Sequence, residues 1–171
     1  MSRALAFMAD PALAASVLPA PGGGFDIRAF LDRAGTVYMI AESVNQDAPV
    51  APLFAAMAAE IHHTAALAGQ VSRLGQLDPP LLMGLDEVTQ ICPVPLPAWL
   101  SDSGGKGIQV VAVVHGEAQL AGRWQDHGRQ VVLDTSSVKV FLPGITDTTT
   151  LEPASTLCGR RRWPGVRGGR G

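Results

Sequence analysis

The stretch Leu81-Leu82-Met83-Gly84-Leu85-Asp86-Glu87 decides how this chain reads. An apolar run with no polar alternation describes a strand buried on both faces, and two carboxylates stop it abruptly. Asp78-Pro79-Pro80 introduces it. A second run of the same kind, Ile108 to Val114, follows the turn Gly104-Gly105-Lys106-Gly107 and ends at His115. Further out, Thr36-Val37-Tyr38-Met39-Ile40-Ala41 and Val138-Lys139-Val140-Phe141-Leu142 read as two more strands, the latter closed by Pro143-Gly144. Helical patterns separate them. Asp47 as an N-cap and Pro49 in the first turn open a helix with one apolar stripe, Val50, Leu53, Phe54, Met57, Ile61, Ala65 and Ala68, and Gly69 near its end. Further helices are expected over Glu117–Trp124, from Gly128 towards Asp134, and from Thr148 to Cys158, ended by Gly159. Strands alternating with helices predict an α/β fold, a mainly parallel sheet with helices on both faces.

The composition agrees with a packed domain. Of 171 residues, 47% are hydrophobic and 16% charged, which excludes disorder as a description of the whole chain. Residues 1–24 are Ala-rich and break at Pro19, Pro21 and Gly22-Gly23-Gly24, a helical and loop lead-in. Residues 25–159 form the expected body, opening with a short helix over Phe25–Arg33. Residues 160–171, rich in Arg and Gly, form a tail with no apolar periodicity, expected to be disordered. Residues 1–159 hold 8 basic against 15 acidic side chains, a balance of −7, and the tail adds five arginines. An acidic body argues against a broad grip on nucleic acid by the folded part. Cys92 and Cys158 are too few for a disulfide scaffold or a zinc site and fit a reducing compartment. The longest apolar run, Val50 to Leu67, is interrupted by Glu60, His62 and His63 and falls short of the roughly 20 residues that span a bilayer. A cytoplasmic chain without a membrane span is expected.

Few residues carry a chemical signal. In a phosphate-loop nucleotidase, a strand running into two acids, as at Asp86-Glu87, places one where it helps to hold the Mg²⁺ of bound nucleotide and the next where it can polarise water. A solvated turn has the same pattern. His115 ends the next strand at the same edge if the sheet is parallel, and Gln119 falls in the first helical turn beyond it. The turn Gly104-Gly105-Lys106-Gly107 is no phosphate loop, because it leads into a strand and lacks the hydroxyl after Lys106. No Gly-x-x-x-x-Gly-Lys-Ser/Thr occurs in the chain. Glu60 and His63 share a helix face while His62 points elsewhere, so a surface or interfacial face outweighs a metal site. Trp99 and Trp124 are expected at domain edges, and Ser136 and Ser137 lack a nucleophile elbow.

Taken in order, the segments resemble a known family. Phe30-Leu31 with Gly35 through Glu42, then Pro49-Val50-Ala51-Pro52-Leu53-Phe54, resemble one stretch of the conjugative coupling ATPases. Leu81 through Glu87 with Ile91-Cys92-Pro93 is similar to their Walker B region, and Gly107-Ile108 through Val114, Ala118-Gln119-Leu120 and Trp124 to the segment that follows. The family is that of the TraG/TraD-like type IV secretion coupling proteins. The resemblance implies part of a RecA-like P-loop NTPase motor domain, hexamers at the cytoplasmic face of the plasma membrane, and ATP-driven transfer of single-stranded DNA with its relaxase. It implies that Asp86 is the magnesium-associated Walker B acid and that Glu87 activates water. His115 falls where relatives carry a γ-phosphate-sensing Gln, and Lys106 where they carry an Arg that reaches a neighbouring subunit.

Relatives have membrane spans and a Walker A segment before the region covered here. The expectation is therefore a carboxyl-terminal fragment of a coupling ATPase, inactive alone, with ATP and Mg²⁺ as the implied cofactors. Its expected partners are further copies or intact motor subunits. The alternatives are a non-enzymatic interaction module or remnant that joins intact subunits, and an unrelated doubly wound binding protein. Asp86, Glu87 and His115 are expected to cluster at the carboxyl edge of one parallel sheet.

Overall fold

Strand β1, Leu81–Leu85, and strand β2, Ile108–Ala112, pair in parallel, with Leu81 opposite Ile108 and Leu85 opposite Ala112. The computed structural model describes residues 3–21, 23–40, 50–144 and 148–159. Among these residues the sheet has two strands, and the chain is α/β, mixed helix around a small parallel sheet. The ladder runs on past β1: Val113 N–H donates to Leu85 O (2.9 Å) and Val88 N–H to Val113 O (3.3 Å).

Two of the four expected strands are not strands. Thr36–Ile40 and Val138–Leu142 have no regular structure, and Tyr38, Ile40, Val138 and Val140 are each more than three-quarters exposed. A β-prone run becomes a strand only beside a free edge that its own N–H and C=O groups can join. Neither run is paired, so propensity alone does not order them. Nor is the sheet covered on both faces. Met83, Leu85 and Ile108 are buried, whereas Leu82, Val111 and Val113 are exposed. Only one face of β1 and β2 meets the core.

Two compact units divide the chain, Met1–Ser137 and Val138–Gly171. In the first, a 3-10 segment over Arg3–Ala9 leads to helix α1, Pro11–Val17, whose Asp10 carboxylate accepts the N–H groups of Ala12 and Leu13. Helix α2, Ile27–Asp32, is capped in the same way by Asp26 through Ala29 N–H (2.9 Å). Helix α3 spans Ala51–Val71 with Pro52 in its first turn. The expected cap Asp47 and Pro49 lie outside the described residues. The buried face of α3 is Ala58, Ile61, Ala65, Ala66 and Gly69, a smaller-residue seam than the expected stripe.

That seam lets the backbone approach closely. A Cβ on Gly69 would stand 2.9 Å from both Leu77 N and Lys106 O, and one on Gly107 would stand 2.5 Å from Leu77 O. Gly107 also has φ of +75°, the left-handed region that favours glycine. The strand-entry segment therefore threads between α3 and the turn before β2, where Leu77 N–H donates to Lys106 O (2.9 Å) and Leu81 N–H to Gly107 O (3.0 Å).

Helix α4, Leu96–Asp102, packs against α5, Glu117–Thr135. The expected division of this region into two helices holds, because Gln125 (φ 62°, ψ 175°) breaks the helical path. Arg129 spans the break, donating from Nη1 to Glu117 Oε2 at 2.8 Å. The core gathers Ala58, Ala65, Met83, Leu85, Val88, Val94, Leu96, Trp99, Ile108, Leu120 and Val132. Trp99 thus sits inside the core, not at an edge. Trp124 anchors the chain after β1 by donating its indole N–H to Val94 O (3.2 Å). The second unit holds helix α6, Thr148–Cys158, followed by Gly159 at φ +68°.

Candidate functional site

Parallel pairing brings the carboxyl ends of β1 and β2 to one edge, and Asp86, Glu87 and His115 stand there. The chain turns sharply after β1. Glu87 adopts the left-handed conformation (φ 48°), its N–H donates to Asp86 Oδ1 (3.0 Å), and its carbonyl accepts from Gln90 N–H and Ile91 N–H, both 2.9 Å. Val88 and Cys92 point into the core and hold the turn down.

Both oxygens of the Glu87 carboxylate are engaged. Oε1 pairs with His115 Nε2, and Oε2 accepts from Gln90 Nε2 at 3.2 Å. His115 N–H in turn donates to Gln119 Oε1 (3.0 Å), which ties the entry of α5 to the strand end. Three of the residues singled out by sequence, Glu87, His115 and Gln119, therefore form one chain of contacts with Gln90. Asp86 is exposed beside it. These contacts orient the carboxylate, and each oxygen keeps a further lone pair that can accept a proton. His115, with its side chain 73% exposed, is the partner free to swing away.

Lys106 is not brought to this edge. It precedes β2, so a strand of five residues, roughly 17 Å at about 3.3 Å per residue, separates it from His115. Its ammonium pairs with Asp102. An exposed carboxylate such as Asp86 suits a hydrated Mg²⁺. The described residues offer no cradle for a triphosphate, since the glycine turn leads into β2 and its lysine is engaged. Among them no group of three or more His, Cys, Asp or Glu is placed to hold a metal ion.

Next to the Glu87–His115 pair lies a shallow, open depression of about 270 Å³, lined by Thr89, Gln90, Gln119, Gly122 and Arg123. Sequence reasoning found only Gln119 of these. The others carry no motif; folding the turn after β1 against α5 assembles them.

Sequence reasoning also missed a second polar contact, behind the sheet's opposite end. His62 on α3 stacks on Trp99 (ring centroids 4.1 Å apart, interplanar angle 5°) and its Nε2 meets the buried Ser103 Oγ at 2.8 Å. Burial, and then the Lys106 ammonium, hold the His62 imidazole below its usual pKa range. The only signal was that His62 and His63 point about 100° apart, which leaves one free to turn inward. Cys92 is buried, and desolvation pushes its thiol up to about 11, so it is an inert core residue.

Residues 80–164 match the family described as the TraM recognition site of TraD and TraG. This stretch is a TraG/TraD-like carboxyl-terminal region. It begins at the residue before β1 and takes in the Glu87–His115 edge, the depression, α4, β2, α5 and α6. Neither a curated protein nor a solved structure matches the chain. Among the described residues no helix is long and apolar enough to cross a membrane.

Proposed function

We propose that this chain is the carboxyl-terminal part of a conjugative coupling ATPase that recognises a relaxosome protein of the TraM kind and does not hydrolyse ATP on its own. The family match over residues 80–164 carries the reading, because it names a recognition site for a partner protein. One further observation supports inactivity in isolation: among the described residues the glycine turn 104–107 leads into β2 and its Lys106 is paired with Asp102, which leaves no phosphate cradle there. In the complete motor, Asp86 would hold hydrated Mg²⁺ and Glu87, released from His115, would polarise water. Single-stranded DNA, the relaxase and neighbouring motor subunits at the cytoplasmic membrane face would be the wider partners.

The test is direct. Purified chain is expected to show no ATP hydrolysis above background and to retain a TraM-type protein in a pull-down. Hydrolysis by the chain alone, abolished in Glu87→Gln, would overturn the inactive-fragment reading. Failure to bind any TraM-type protein encoded beside the gene would overturn the recognition reading.

A further inference from the structure

Three features of the depression beside Glu87 are unexplained by a motor role. Thr89 is 9% exposed, and its hydroxyl has no hydrogen-bond partner among the described residues. Buried hydroxyls nearly always have a partner, so an unpaired one at the lining of a depression calls for an explanation. Gly122 lies inside α5, where glycine weakens a helix relative to alanine, yet a Cβ there would meet nothing within 4 Å. Packing does not demand this glycine. Its absence of a side chain keeps the depression open. Arg123 beside it is exposed, and no carboxylate pairs with it among the described residues.

We infer that this depression receives a carboxylate side chain, Asp or Glu, from a partner protein. The inference rests on the partner-recognition reading above and names the chemistry of the partner. The lining supplies donors. Gln119 must turn its Oε1 to the His115 N–H, which leaves its amide NH₂ as the end available to a ligand. The Arg123 guanidinium presents a planar fork that matches a carboxylate with two parallel bonds. Thr89 also lines the depression, and its unpaired hydroxyl is the third group there able to donate once it turns outward. Glu87, which borders the depression through Gln90, is itself paired with His115 and Gln90.

Size and charge exclude larger anions. The depression is shallow and open, so it fits a side-chain tip and not a nucleotide, which needs an enclosing pocket. One arginine balances one carboxylate. A phosphate dianion would bring excess negative charge beside Glu87 and Asp86.

The test uses the full ¹⁵N-labelled chain and three probes: a capped Gly-Ser-Glu-Ser-Gly peptide, its Gln twin, and inorganic phosphate. The Glu peptide is expected to shift the Gln119 and Gln90 side-chain amides and the Arg123 Nε–H. The Gln twin should bind at least tenfold more weakly. Arg123→Gln and Thr89→Val should each weaken the Glu peptide at least tenfold, and Gly122→Leu should block it. Thr89→Val and Gly122→Leu should melt no lower than the parent, because one removes an unpaired buried hydroxyl and the other adds a side chain to open space. Equal shifts with the Gln peptide, shifts as large with phosphate, or unchanged affinity in the variants would overturn the site. Absence of any shift would do the same. A depression that binds the Glu peptide in a chain that retains no TraM-type protein would leave the site standing and sink the recognition reading. Retention of such a protein without a shift at Arg123 would do the reverse.

Discussion

At the scale of single residues, His62 shows how a polar side chain can hold two helices together. Its ring lies flat on Trp99 and its Nε2 reaches Ser103, so α3 is pinned to α4 and to the turn before β2. The neutral imidazole is the form that fits, and its pKa is lowered from 6.5 by burial first and by Lys106 second. In the unfolded chain His62 takes up a proton near 6.5, whereas the folded protein resists it to lower pH. The unfolded state therefore binds more protons in that window, and stability rises with pH. This contribution is fully present above pH 6.5 and is lost as pH falls through the lowered folded-state value. Thermal melts between pH 7.5 and 5 should show a fall in Tm that is smaller in His62→Gln than in the parent. An identical pH slope in the two proteins would show that His62 is not the sensitive group.

At the scale of elements, the close passage of Leu77 between α3 and the β2 turn sets how the sheet meets the helix. Ala at position 69 would press a methyl against two backbone atoms at 2.9 Å. Overpacking of this kind costs about 1–3 kcal/mol, offset in part by the helix propensity of Ala over Gly, about 1 kcal/mol. Gly107→Ala has no such offset, meets Leu77 O at 2.5 Å and must also adopt φ of +75°. Urea denaturation should therefore rank Gly107→Ala as more destabilising than Gly69→Ala, by roughly 1 kcal/mol or more on the same grounds. The reverse order would mean that the turn before β2 yields and α3 does not. A different compromise appears in α5, where Gln125 holds a left-handed φ so that Trp124 can reach Val94 while Val132 still enters the core.

At the scale of the whole molecule, a two-stranded parallel sheet with one bare face is an unusual thing to leave in water, since parallel sheets are ordinarily covered on both sides. Among the described residues both strands are edge strands, and Leu82, Val111 and Val113 line the exposed face. Such edges promote association. Light scattering is expected to show a mass that rises with concentration, and Leu82→Lys with Val111→Lys should shift the chain towards monomer without lowering Tm. A concentration-independent monomer for the parent chain would refute this.

The sequence by itself determined the pieces whose causes are local. Asp10 and Asp26 cap helices by accepting N–H groups within three residues, the two helices around Gln125 follow their own periodicity, and the apolar runs at 81–85 and 108–112 have the composition of strands. Their parallel pairing was expected from strands separated by long connections, the one between these two carrying α4, and with it came the shared edge of Glu87 and His115. Only the tertiary structure decided which β-prone runs are strands, because pairing requires another strand's free backbone groups at the right distance, and among the described residues Thr36–Ile40 and Val138–Leu142 form no ladder. It alone decided which residues around Glu87 meet, since Thr89, Gln90, Gly122 and Arg123 are joined by folding a turn onto a helix and by no spacing in the chain. It alone turned His62 inward, for a helix presents every direction to its surroundings and only packing chooses the one that is buried.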